Sequence, residues 1–497
     1  MRRRTLLSVV GGVCVLAAGW AAWQTQVTPA TASPAGQSAV TEKPFVVHEW
    51  GTFATFSGSN GVHLEFRPLL DQDLPGFVMN RARQSGSINP FIDKGRIATR
   101  VRMETPVTYF YTDRERTVRA SVEFPEGMLT EFYPPVASMS PPYDKLLASG
   151  PGEPIGNSRL DWGEVHLIPE ESLRPQVSDP QTADWLLKRL APLALPGTAA
   201  AETWGGSPTP PLANHYFRAR ETDSALVHVR LNAGPPNPNT PKPGPLLTFV
   251  PPPTGDFIEK FLFYRGVGKF EAPLVIEWNA KGAMTATNRT QSPLKSLILL
   301  DVRGESVRSA SLPDLAGGQS ASIPTVLKDI TIEELRTQMT QHLIAAGLYE
   351  KEALAMVNTW NDSWFLEQGQ RCFYLVPEDL TNTVIPLQIE PAPDQMCRVM
   401  VGRLEMMSPT EEKRLMEVVQ ANATERARQY AERAESQSEE PVNPPIPKEL
   451  VDLGRLAEPA LVRVRQLSHD ETVKNEATTL LWQLQQLFLA EAETASR

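Results

Sequence analysis

The sequence predicts an α+β fold: a β-sandwich-like N-terminal part, then a mainly helical C-terminal part ending in a HEAT-like helix pair. Three observations carry that expectation. Between Pro44 and Leu327, short β-branched and aromatic runs are separated by Pro/Gly turns, as in sandwich-like domains rather than βαβ units. From Thr331 onward, apolar residues recur at helical spacing behind capping boxes. The 45 prolines of the 497 residues are about 9%, against a usual ~5%, and they gather in the loops between the strand-like runs.

Residues 1–32 carry an address. Arg2, Arg3 and Arg4 precede an uncharged apolar run from Leu6 to Trp23, and Ala30-Thr31-Ala32 follows. A basic n-region, an apolar h-region and an Ala-x-Ala site make a secretory signal, with the arginines held on the cytoplasmic side. The apolar run also suffices to cross a ~30 Å hydrocarbon core. Trp20 and Trp23 stand at its outer end, where indoles favour the interface. The segment thus satisfies both a cleaved signal peptide and a signal-anchor giving single-pass membrane anchorage. Either places the remainder in the periplasm or on the outer face of the inner membrane. Arg3-Arg4-Thr5-Leu6-Leu7 resembles the twin-arginine export motif, but a plain basic n-region explains it more simply. Cys14 reads as a small apolar residue of the h-region.

Residues 33–43 read as a linker and 44–327 as one or more β-rich domains. Thr105–Tyr111 is aromatic and β-branched. Thr117–Phe124 puts Val118, Ala120, Val122 and Phe124 on one face. Pro125-Glu126-Gly127 then turns the chain into Leu129–Tyr133. Further strands are expected at Ala225–Leu231, Leu246–Val250, Phe257–Tyr264, Leu274–Trp278 and Leu294–Val302. The stretches 136–158, 194–213 and 232–245 are too rich in proline and glycine to be elements.

Residues 328–436 read as an α+β domain. Thr331-Ile332-Glu333-Glu334 is a capping box opening a helix that ends near Gly347, and a second helix covers about 350–366. Two strands flank the prolines of 377–393. Ser408-Pro409-Thr410-Glu411 opens a long charged helix to about Ser436, with proline at its first position. Residues 437–448 are a stiff Pro-rich linker. Residues 449–497 form the closing helical hairpin, with a third capping box at Ser468–Glu471. One such unit cannot bury both its faces, so it is expected to dock on the body or on a partner.

After the leader, 497 less 32 leaves 465 residues, enough for two or three domains. A net charge of −10 with Lys and Arg scattered among acids speaks against nucleic acid or an anionic membrane surface as partner. Beyond the leader only Cys372 and Cys397 remain, both in strand-like segments. In an oxidising compartment they are expected to form a disulfide, contributing roughly 3 kcal/mol by closing a ~25-residue loop. Two buried thiols are the alternative. There is no Cys-x-x-Cys, haem or iron–sulfur spacing, which excludes most redox roles and leaves any cofactor unknown.

Several segments mix His, Glu, Arg and aromatics in ways that core packing does not require. They are His48-Glu49-Trp50-Gly51-Thr52-Phe53, Arg102-Met103-Glu104-Thr105-Pro106, the 215–223 stretch with His215, Arg218, Arg220, Glu221 and Asp223, and Tyr264-Arg265-Gly266. The ligand-binding candidates are therefore His48, Glu49, Trp50, Arg102, Glu104, His215, Arg218, Arg220, Glu221, Tyr264 and Arg265. His48, His215 and Glu221, with Glu49, could hold a metal if the fold gathers them. Yet adjacent His48 and Glu49 point to opposite faces of a strand, and no His-Glu-x-x-His occurs. Glu49, Glu104 or Glu221 could serve glycoside hydrolysis if two stood at the required separation. Ser57-Gly58-Ser59-Asn60-Gly61 is a turn, not a nucleophile elbow. The competing explanation is structural: arginines 102, 218, 220 and 265 beside Glu104, Glu221 and Asp223 as buried ion-pair networks stitching sheets.

With Phe263–Gly268, Trp364-Phe365, Gly369-x-Arg371 and Val401-Gly402-Arg403-Leu404-Glu405, these segments resemble a family of uncharacterised exported bacterial proteins marked by a VHEWGTF motif, here Val47–Phe53. The resemblance implies export and a shared fold, and it carries no reaction. The expected role is a cell-envelope binding or assembly module with an envelope protein or polymer as partner. The alternative is an extracytoplasmic hydrolase, possibly metal-dependent, using the His and Glu residues of the HEWGTF and HYFRARETD segments.

Overall fold

The computed structural model describes residues 43–66, 74–85, 99–142, 156–169, 172, 215–232, 253–324, 326–436 and 444–495. The leader, the strand expected at 246–250, the loop expected at 194–213 and most of both linkers lie outside the described residues.

The fold is mixed α+β, with a large β-rich N-terminal region and a helical C-terminal region. In chain order the first strands are β1 (Val46–Ser57), β2 (Met79–Asn80), β3 (Val101–Tyr111), β4 (Arg116–Phe124), β5 (Gly127–Tyr133), β6 (Ser138–Ser140) and β7 (Ser158–Ile168). Next come β8 (Leu226–Leu231), β9 (Gly255–Glu259), β10 (Leu262–Gly268), β11 (Leu274–Trp278), β12 (Met284–Asn288) and β13 (Lys295–Arg303). The last are β14 (Ser306–Ser311), β15 (Ser320–Ser322), β16 (Lys328–Asp329), β17 (Gly369–Val376), β18 (Leu387–Glu390) and β19 (Gln395–Met406). The helices that matter here are α1 (Ile332–Ala345), α2 (Glu350–Asn361), α3 (Glu378–Val384), α4 (Pro409–Ser436), α5 (Ala457–Leu467) and α6 (Glu471–Ala495).

A ten-stranded sheet in the order β16-β14-β13-β17-β19-β1-β3-β10-β5-β2 forms the spine. Its centre is β1, parallel to β19 and antiparallel to β3. One face meets a six-stranded sheet, β18-β4-β7-β8-β9 with β6 beside β7. The shared core there runs through Phe53, Phe110, Val122, Trp162, Val229 and Leu404. The other face carries Trp50, Tyr109, Phe263 and Phe373 and is covered by α1 and α2 through Leu335, Met339, Met356 and Trp360. A three-stranded sheet, β11-β12-β15, completes the first core.

Several expectations need correction. The boundary at 327/328 is no boundary of the sheet, since β17 and β19 stand between β13 and β1. The strand expected over 257–264 is two: the chain leaves the six-stranded sheet after Glu259 and enters the ten-stranded one at Leu262. Between β17 and β19 the proline-bounded stretch forms α3 before β18. Cys372 and Cys397 are free thiols, not a disulfide. Cys372 pairs in register with Leu404, seven residues from Cys397. At ~3.4 Å per residue that separates them by about 24 Å, far beyond the ~7 Å reach of a bridge. They also face opposite sides, Cys372 in the sheet–sheet core and Cys397 against the helix-covered one. Burial pushes the Cys372 thiol up to about 12, and burial with Glu352 pushes Cys397 up to about 11.

The helical caps follow the sequence. Thr331 Oγ1 accepts the Glu334 amide at 3.2 Å while Glu334 Oε2 accepts that of Thr331 at 2.9 Å. Ser408 and Glu411 repeat the exchange at 3.2 and 2.8 Å. At the third, Asp470 does the capping instead, its Oδ1 accepting the Thr472 amide at 2.8 Å. The closing hairpin α5–α6 docks on α4, whose thin apolar stripe supplies Leu415 and Val419 to a core with Leu461, Val464, Ala477 and Leu480.

Candidate functional site

On the helix-covered face of the ten-stranded sheet, aromatic packing gives way toward the ends of β1 and β19 to a buried lattice of arginine and glutamate. Strand register builds it. Thr52 stands opposite Glu104, and Ala54 stands between Arg102 on β3 and Arg403 on β19. Glu405 is opposite Phe56 on one side and Arg371 on the other. Side chains two apart share a face, so each strand delivers alternate charged residues to one layer. Segments singled out in the sequence thus meet: HEWGTF, METP, GxRxF and VGRLE lie on adjacent strands, with Arg265 of YRG one strand further.

Arg371 Nε donates to Glu405 Oε2 at 3.2 Å. Its other nitrogens donate to the Trp364, Glu367 and Gln368 carbonyls at 2.9, 2.7 and 2.9 Å, satisfying the end of the π-helical turn Asp362–Leu366. Arg403 pairs with Glu405, and its Nη2 donates to Glu367 Oε2 at 2.7 Å. Arg455, from the turn before α5, closes the lattice by reaching Glu104 at 3.1 Å, Glu367 at 2.8 Å and Glu405 at 3.3 Å. Arg102 Nε approaches Glu104 at 3.3 Å. Burial alone would raise the Glu367 and Glu405 carboxyls, but the guanidiniums reverse it. Arg371, Arg403 and Arg455 hold Glu405 below its ordinary value, and Arg403 and Arg455 bring Glu367 to about 2. Burial acts to lower the Arg455 guanidinium, and Glu104, Glu367 and Glu405 raise it above normal.

The lattice leaves some groups unmatched. Thr52 Oγ1, Thr105 Oγ1, Glu104 Oε2 and Arg403 Nη1 are buried without a partner among the described residues. Thr105 also adopts φ +48°, uncommon for a β-branched residue. It sits where β1 and β3 slip register between Trp50 and Thr52. Gly51 is required there, because a Cβ would come within 3.0 Å of the Pro106 Cα.

The other candidates fall elsewhere. Glu49 lies on the opposite face, accepting from Thr108 at 2.9 Å, Tyr264 at 2.5 Å and Arg398 Nε at 2.8 Å. Arg398 is tied in turn to Asn382 and the Ile385 carbonyl, both at 2.8 Å. His48 Nδ1 meets Glu352 Oε2 of α2 at 2.8 Å, beneath the Tyr349 ring, while Tyr111 donates to Glu352 Oε1 at 2.7 Å. This pairing resembles the base–orienter half of a nucleophile triad. Cys397 is in register with His48, but its raised thiol and its contact to the Ala346 carbonyl at 3.6 Å make it a poor nucleophile. Trp50 packs against Tyr109 in the core.

In the 215–223 stretch, His215 lies against the Trp360 ring. Arg220 and Tyr216 bind Glu259, Arg220 at 2.9 and 2.7 Å and Tyr216 at 3.2 Å. Arg218 and Glu221 pair at the surface at 2.9 Å. The metal set His48, His215 and Glu221 is therefore not brought together. His48 is at Glu352 and His215 at Trp360, eight residues or about 12 Å along α2. Among the described residues no three His, Cys, Asp or Glu converge as metal ligands. Glu49 and Glu104, on opposite faces of one sheet, cannot flank a glycosidic bond.

Sequence reasoning missed Glu352, Glu367, Arg371, Arg398, Arg403, Glu405 and Arg455 as site residues. Charged residues at alternate positions of an otherwise apolar strand, Arg403 and Glu405, were a usable signal. Arg455, in a helical hairpin, offered none.

No protein-family model and no curated protein matches this chain. Among solved structures it is similar to a Fcho1 Mu homology domain from Danio rerio with bound Eps15 peptide, at 8% identity and a TM-score of 0.24. That alignment covers 75% of this chain and 98% of the other.

Proposed function

We propose that the chain works outside the cytoplasm, in the bacterial cell envelope, as a binding or assembly module. The observation that carries this reading is where the motif side chains are spent. Glu104 of METP reaches Arg455, 351 residues later, and Glu405 of VGRLE joins the same arginine. Acid–base work needs a carboxyl free to exchange its proton near the operating pH, whereas Glu405 and Glu367 are held ionised by arginine. The leader of Arg2–Arg4 followed by Leu6–Trp23 supports the location.

An alkaline phosphatase fused to the C-terminus, active only after export, should score positive in cells. A silent fusion with the chain intact in the cytosol overturns the location. Metal analysis addresses the competing hydrolase: the purified chain should carry no stoichiometric ion. An ion present at one equivalent and lost in His215→Ala would overturn the module reading.

A further inference from the structure

Where the hairpin meets the sheet, beside the charged lattice, lies a cavity of about 370 Å³. We propose that it binds an uncharged amphiphile with an apolar body and a single N–H or O–H donor at one end. The inference deepens the module reading and rests on it for its biological setting.

The volume falls within the ~300–1,000 Å³ range of small-ligand sites. Phe56, Met406, Met407, Leu415, Leu453 and Leu456 supply apolar walls, and the two thioethers can adapt to an irregular occupant. Two polar atoms beside it are unmatched. Ser57 and Gln370 are lining residues, and their Oγ and Oε1 atoms lie just behind the wall, buried without a partner among the described residues. Ser57 is only 1% exposed. A buried acceptor left without a donor is rare enough to need an explanation; a donor on a bound molecule provides one for Gln370 Oε1, while the Ser57 hydroxyl can donate or accept.

The head is uncharged because nothing inside would answer a charge. Glu405, the carboxylate on the wall, is already matched by Arg371 and Arg403, and the unmatched atoms belong to neutral groups. An ion entering would shed its water without compensation. The mouth does not select a sign either. Arg303 is spent on Asp301 and Glu411, and Asp452 on Lys448. Arg414 and Glu449, both exposed, bring one charge of each sign.

N-phenyl-1-naphthylamine fits this description: apolar, uncharged, with one N–H, and bright only away from water. Titrated with the purified full chain, its fluorescence should rise and saturate at one equivalent. Leu453→Trp fills the space and should weaken binding at least tenfold. Gln370→Met keeps the side-chain length, removes the acceptor, and should weaken binding about five- to tenfold. An unchanged thermal midpoint shows each variant folded, and if Leu453→Trp fails to fold, Gln370→Met decides alone. Fluorescence that never saturates, or saturates identically in folded variants, overturns the proposal. A silent export fusion with saturable probe binding removes the envelope setting and leaves the site. An exported chain that ignores the probe removes the ligand class alone.

Discussion

At Glu49, one carboxylate with no exposed surface accepts from a threonine, a tyrosine and an arginine drawn from three other strands. Burial, then the Glu49 charge, holds the Tyr264 hydroxyl well above its ordinary value, so it stays a donor. Removing one partner of such a pair leaves the other charge buried and uncompensated, which costs about 3–5 kcal/mol. Glu49→Gln should therefore lower unfolding stability in urea by about that amount, and the paired change Glu49→Leu with Arg398→Met should recover most of it. A single variant within ~1 kcal/mol of the parent would mean the pair is dispensable. The sequence flagged Glu49 and Tyr264 from their motifs. It gave no hint of Arg398, 349 residues away, because parallel pairing of β1 with β19 leaves no local trace.

The elements were legible where one face is wet and obscure where both are covered. β4 alternates buried and exposed positions and was visible as period two. β1 is buried at all twelve positions and so has no alternation to mark its length, although its motif stands out. β7 alternates too, but the proline-rich stretch before it masks the pattern. α3 hid between prolines because Pro377 acts as a helix N-cap rather than a breaker. The bulge at Thr105 was equally silent, since it arises from register between strands. Its φ of +48° stores strain of about 1–3 kcal/mol, partly offset in a glycine by an entropy cost of about 0.5–1 kcal/mol. Thr105→Gly should thus stabilise the chain by up to about 2 kcal/mol, read as a higher urea midpoint. A loss beyond ~1 kcal/mol would show that the threonine side chain holds the bulge in place.

Over the whole molecule, the charged lattice ties the hairpin to the sheet. Arg455 enters from the turn before α5 and touches carboxylates of β3, β19 and the turn after Leu366, while Arg463 of α5 reaches Glu412 of α4 at 2.6 Å. Arg455→Met keeps apolar bulk but loses the first bridge, and the buried-pair precedent puts the cost on the order of 3 kcal/mol. Hydrogen exchange at neutral pH should accelerate in α5 and α6 while β1 and β19 stay protected. Acid should act on the same joint. Glu367 and Glu405 titrate below the ordinary 4.5 in the folded chain, Glu367 at about 2, so the unfolded chain takes up protons first. Their contribution is complete above about 4.5 and drains away as pH falls toward about 2. The urea midpoint of the parent should stay level between neutral pH and about 5 and then fall. In Arg455→Met that acid limb should be shallower, because one guanidinium holding both carboxyls ionised has gone. An equally steep limb in the variant, or exchange that quickens evenly through sheet and hairpin, would separate Arg455 from the joint.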